Sequence, residues 1–140
     1  MAAYQEALGQ HYQQVLQNFP DLKRLAFDDS SLANEQDYYL SNEGGSIECT
    51  LDEQGCVSSL FVQFHLGAPE VFDIHQQTSL SSLVQRFGPP IAKGRGRRSE
   101  VFGFIGGWVK FQAGASFVHL EFEPTQPKFK MMTLMNKNVG

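Results

Sequence analysis

His119 and Glu121 stand two apart in a strand-like run over roughly 116–123, which puts an imidazole and a carboxylate on one face. Such a pair can move protons near neutral pH, so it is the candidate for acid–base catalysis in this chain. A solvated polar stripe has the same spacing, and the expectation is that the protein is not an enzyme. His65, Glu70, Asp73 and His75 could offer two nitrogens and carboxylate oxygens to a metal. Their spacing matches no helical or hairpin ligand set, and Pro69 lies inside it, so neither metal nor cofactor is expected. No Gly-x-Ser-x-Gly elbow occurs. The loop Lys93-Gly94-Arg95-Gly96-Arg97-Arg98 could grip phosphate by charge. No Gly-Lys-Ser/Thr follows it, and a pI near 5.5 opposes nucleic-acid binding.

Two cysteines, Cys49 and Cys56, flank the turn Asp52-Glu53-Gln54-Gly55. A four-residue loop sets Leu51 opposite Cys56 and Cys49 opposite Ser58, leaving the two sulfurs on a diagonal. Diagonal neighbours sit about 7–8 Å apart, too far for an unstrained disulfide. Two buried free thiols are expected.

The chain's 140 residues suit one domain with its own core, and the 12 Phe argue against disorder. No apolar run approaches the roughly 20 residues of a membrane span. Neither a basic n-region nor an apolar stretch precedes Gln13-Gln14, so a cytoplasmic location is expected. The net charge of −4 hides an asymmetry. Residues 1–78 carry Lys23 and Arg24 against twelve carboxylates, −10, while residues 79–140 carry nine bases against three carboxylates, +6. Either the halves attract each other within one domain, or an acidic surface is offered to a basic partner.

The elements follow from periodicity. Tyr4, Ala7, Leu8, His11, Tyr12, Val15, Leu16 and Phe19 predict an amphipathic helix that Pro20 stops, with His11 packed on its apolar stripe. Ser46–Leu51 and Cys56–Phe64 predict a hairpin in which Leu60, Val62 and Phe64 alternate with Ser59, Phe61 and Gln63. Leu80, Leu83, Val84 and Phe87 form the stripe of a second helix, closed by Gly88-Pro89-Pro90. Four strands follow, roughly 97–105, 108–113, 116–123 and 128–136. Two-residue turns at Gly106-Gly107 and Gly114-Ala115 give Phe102, Phe104, Val109, Phe111, Val118, Leu120 and Phe122 one common face. A four-residue last turn pairs Lys130 with Glu121, Met132 with His119 and Leu134 with Phe117. The predicted fold is thus a single α+β domain over 1–140: an N-terminal amphipathic helix, a β-hairpin, a second helix, then a four-stranded antiparallel meander.

The meander's second face collects Ile105, Trp108, Lys110, Gln112, Phe117, His119, Glu121, Lys130, Met132 and Leu134, large apolar groups interleaved with charge. Either the N-terminal helix covers its apolar part, or the face binds a partner with Trp108 as anchor.

Three stretches together carry a family resemblance. Ser46 through Phe61 resembles the strand, Asp-x-x-Gly, strand opening of certain small bacterial α+β proteins. Ser79-Leu80-x-x-Leu83-Val84-x-x-Phe87-Gly88-Pro89-Pro90 is similar to their helix, and Lys130-Met131-Met132-Thr133-Leu134-Met135 to their last strand. That largely uncharacterised family resembles immunity proteins of polymorphic-toxin systems. The resemblance implies a protein that plugs a toxin by direct binding, its acidic residues Asp28, Asp29, Glu35, Asp37, Glu43, Asp52 and Glu53 meeting a basic partner. The alternatives are a small-molecule binder or minor enzyme with a pocket between sheet and helix, and a homodimeric adaptor using the Trp108 face.

Overall fold

Period-two alternation marks residues 59–64, 108–113 and 116–122, and strands dominate the fold. The computed structural model describes residues 3–26, 38–99 and 103–136. A 3₁₀ turn at Tyr4–Ala7 leads to helix α1 (Tyr12–Asn18), and the strands are β1 (Lys23–Ala26), β2 (Tyr38–Ser41), β3 (Ile47–Leu51) and β4 (Val57–Gln63). A short 3₁₀ turn at Phe64–Leu66 and helix α2 (Leu80–Phe87) follow. The chain then forms β5 (Ala92–Gly94), β6 (Arg97–Ser99), β7 (Gly103–Ile105), β8 (Trp108–Ala113), β9 (Ser116–Phe122) and β10 (Phe129–Asn136). Eight strands make one antiparallel sheet in the order β1-β2-β3-β4-β10-β9-β8-β5, and β6 and β7 pair separately. The expected balanced α+β arrangement with a four-stranded meander is therefore corrected to a sheet-dominated one, with only two short α-helices among the described residues. No described helix is long and apolar enough to cross a membrane.

The reason is that β10 does two jobs. It pairs with β9, as a meander requires, and its other edge pairs with β4 from Met131↔Gln63 to Met135↔Ser59. The last strand thereby joins the hairpin of the first half to the strands of the second.

Three local expectations change as well. The N-terminal helix is broken, because Gly9 takes φ +82° and residues 9 and 10 bond across to Val57. His11 is not packed on an apolar stripe: it is exposed at the N-cap of α1, where its Nδ1 accepts from the Gln13 N–H. In the β3–β4 hairpin a bulge sets Leu51 opposite Val57 and Cys49 opposite Leu60. Both thiols are free, with Cys49 buried and Cys56 half-buried. Burial pushes the Cys49 thiol up to about 12, with the Glu48 charge adding to the shift.

The Gly106-Gly107 pair is not a hairpin turn, and Ile105 does not pair with Trp108. Neither glycine has the positive φ that a two-residue turn of that kind needs. They serve close approach instead: a Cβ on Gly106 would lie 1.9 Å from the Phe122 carbonyl oxygen, and one on Gly107 3.0 Å from that of Gly94. The neighbour of β8 is consequently β5, with Gly94 opposite Trp108. Phe102 lies outside the described residues.

The Gly114-Ala115 turn holds as expected, giving Phe111↔Val118 and Val109↔Leu120. The β9–β10 register is one residue off, because a bulge between Phe129 and Met131 makes Met131, not Lys130, the partner of Glu121. Met132 then faces Leu120 and Leu134 faces Val118, and both turn into the core. A single-residue slip inverts every side chain, and burying Phe129, Met132 and Leu134 outweighs one exposed Glu–Lys pair.

One face of the sheet carries the core. Leu40, Cys49, Leu60, Leu134, Val118 and Phe111 run across six strands in register, all buried. Ala7, Val15, Phe64, Ile74 and Leu83 join this core from the turns and helices. Arg24 seats α1 there, its guanidinium 4.4 Å from the Tyr12 ring centroid. The Phe87 ring of α2 lies 5.6 Å from that of Phe111.

Candidate interaction face

Side chains opposite the core face form three rows set by strand register. The first runs Lys23, Ser41, Glu48, Phe61, Thr133, His119, Lys110; the second Leu25, Tyr39, Thr50, Ser59, Met135, Phe117, Gln112; the third Gln63, Met131, Glu121, Trp108. The helices pack on the other face, so α1 does not cover this one. Trp108, Phe117, Phe61, Met131 and Met135 are all half-buried. A sheet presenting this many large apolar side chains beside charge has the composition of a partner-binding surface.

At the β8–β9 end the expected residues come together. The Trp108 indole lies over Gly94, where a Cβ would fall 2.1 Å from its Nε1. It stacks on the His119 imidazole with ring centroids 5.1 Å apart and planes at 23°. The Lys110 ammonium sits 4.3 Å from the Phe117 ring centroid, a cation–π contact that holds both against the sheet. Glu121 lies directly opposite Trp108. Burial holds the His119 pKa below the ordinary histidine range; Lys110 acts in the same direction and Glu121 opposes it. The imidazole is thus kept neutral beside the indole.

Met132 does not belong to this face. It is fully buried on the other side. A residue without exposed surface cannot meet a partner, and its neighbours Met131 and Met135 stand on the face instead.

The acidic candidates among the described residues are not brought together. Asp28, Asp29, Glu35 and Asp37 lie outside the described residues. Glu43 is exposed in the β2–β3 turn, whereas Asp52 and Glu53 occupy the β3–β4 turn at the far end of β3. Five residues of strand hold these turns roughly 17 Å apart. The Asp52 carboxylate is engaged locally, its Oδ1 accepting from the N–H groups of Gln54 and Cys56. It shapes the turn in the manner of an Asx residue.

The other candidate groups are dispersed. Among the described residues no three His, Cys, Asp or Glu side chains stand close enough to hold a metal ion. The His75 Nδ1 accepts from the Gln77 N–H, and the His65 Nδ1 lies 3.2 Å from the Lys130 carbonyl oxygen.

Sequence reasoning missed the other end of the face. A depression of about 320 Å³ opens over β2, β3, β4 and β10, lined by Tyr39, Glu48, Thr50, Phe61, Gln63 and Met131 with the backbone-bound Cys49 below. The signal was the alternation itself, since Ser59, Phe61 and Gln63 must point away from the core. What the alternation lacks is the β4–β10 pairing that places Met131 beside Gln63.

Comparison with family models, with curated proteins and with solved structures finds no match to this chain.

Proposed function

We propose that this chain acts by binding another protein with the helix-free face of its sheet, as an immunity protein that neutralises a basic bacterial toxin. One observation carries the reading. Half-buried Trp108, Phe117, Phe61, Met131 and Met135 form a continuous face opposite the core, and no described helix packs on it. Aromatic and methionine side chains are the groups enriched at protein interfaces, and Trp is the most frequent hot spot. Trp108 is preorganised by Gly94 and His119, so little side-chain freedom is lost when a partner covers it. The acidic balance of the chain supports a basic partner.

The test couples capture with toxicity. The expected partner is a stoichiometric basic protein encoded beside this chain's gene, toxic when expressed alone and harmless when co-expressed. Trp108→Ala combined with Phe117→Ala should weaken binding at least about tenfold with circular dichroism unchanged. Undiminished binding by the double variant would remove this face as the site. A chain that elutes alone, with no toxic neighbour, would overturn the immunity reading. A dimer that the double variant makes monomeric would assign the face to a second copy.

A further inference from the structure

The depression around Glu48 has a chemistry of its own. Glu48 stands directly opposite Phe61 on β4 and beside Ser41 on β2, and Tyr39 lies on the diagonal across from Thr50. Cross-strand Cβ atoms sit about 4.5–5.5 Å apart, so the Phe61 side chain stands next to that of Glu48. Met131 closes a third side with a polarisable thioether, and the Gln63 amide marks the rim. Glu48 is half-buried as a residue, and its carboxylate makes no hydrogen bond or ion pair among the described residues. A carboxylate without a cation, set beside an aromatic ring, is complemented by a cation that can pair with the one and stack on the other.

We propose that this depression receives an arginine side chain of the protein partner, its guanidinium paired with Glu48 and stacked against the ring of Phe61. The inference rests on the reading of this face as a protein-binding surface and adds the group that it recognises. Arginine fits better than lysine for three reasons. A planar guanidinium stacks on aromatic faces, it donates two parallel N–H bonds to one carboxylate, and it is more weakly hydrated than an ammonium. The Gln63 amide oxygen can accept a further N–H at the rim. The basic character expected of the partner then has a defined point of contact, separated along the sheet from the Trp108 anchor.

The experiment titrates N-acetyl-arginine amide into the full chain, with methionine methyl groups and backbone amides followed by NMR. N-acetyl-lysine amide and the uncharged isostere N-acetyl-citrulline amide serve as comparisons. The arginine probe should give saturable shifts at the Met131 methyl and at the Thr50 and Gln63 amides. The lysine probe should bind at least about threefold more weakly, and the citrulline probe should give no saturable shift. Glu48→Gln keeps the shape and removes the charge, and it should abolish the arginine response while shifts remote from the site stay in place. Equal responses to arginine and citrulline, an undiminished response in Glu48→Gln, or no saturation at any of the three residues would each overturn the proposal. Loss of the arginine response with partner capture intact would remove the guanidinium site alone. An intact arginine response in a chain that captures no protein would overturn the partner assignment and identify a receptor for free guanidinium compounds.

Discussion

His119 shows how one residue's surroundings decide its chemistry. Its strand spacing to Glu121 suits acid–base work, yet the imidazole lies stacked on Trp108 and near the Lys110 ammonium. Burial is the larger cause of its lowered pKa, which favours the neutral ring in the folded chain. In the unfolded chain the same ring titrates at about 6.5. Below that pH the unfolded state binds more protons than the folded one, so the stabilisation from neutral His119 is present above the unfolded pKa. It is lost as pH falls through the folded pKa. Urea unfolding between pH 7.5 and 5 should therefore show a decline in stability that His119→Phe, which keeps a ring against Trp108, makes shallower. An equal decline in both proteins would mean that His119 is not the titrating group.

Element behaviour turns on register, and β10 is the element with most at stake. The bulge between Phe129 and Met131 decides which of two adjacent methionines fills the core. Met132 is fully buried and Met131 half-buried on the far face. Truncating a buried Met to Ala typically costs about 2–5 kcal/mol, through lost transfer energy and the cavity left behind. Met132→Ala should lie in that range and Met131→Ala below about 1 kcal/mol, as measured by denaturant midpoint. The reverse order would restore the register in which Lys130 faces Glu121. The same contrast explains why the Glu121–Lys130 pair misled: an exposed ion pair contributes about 0–1 kcal/mol, less than one buried methionine.

At the scale of the whole molecule, the sheet order joins the two parts of the chain. β1 to β4 come from residues 1–78 and β5, β8, β9 and β10 from residues 79–140, with β4 against β10 at the join, while Lys23 and Arg24, the two bases of the first part, both lie on β1. Glu43 and Glu53 are exposed at opposite ends of β3, whereas Asp52 is bound into its turn. Removing both exposed charges, as Glu43→Gln with Glu53→Gln, should slow association with a basic partner by about threefold at low salt and flatten its salt dependence. Dissociation should change little, because rim charges act on encounter more than on the docked complex. An unchanged association rate would leave the described acidic turns without a part in steering. Asp52→Asn belongs to a different experiment, since it weakens a turn.

Much of this was legible in the residues, and the boundary has a physical cause. Alternation over 59–64, 108–113 and 116–122 is local, and it set which side chains share a face, including Trp108, Lys110, Phe117, His119 and Glu121. The Gly114-Ala115 turn is local too, and its register follows from loop length alone. The stripe of α2, its Ser79 cap and its Gly88 end are likewise sequence properties. Residues far apart in the chain decided the rest. That β10 pairs with β4 as well as β9 depends on burying Met132 and Leu134 beneath both, a gain visible only once the strands have met. That Gly106 and Gly107 make a close approach and not a turn depends on Phe122 and Gly94. The depression at Glu48 exists because Met131, 83 residues later in the chain, lies across from Gln63. Periodicity assigns a side chain to a face, but only tertiary packing chooses which strands share the sheet and therefore what that face can hold.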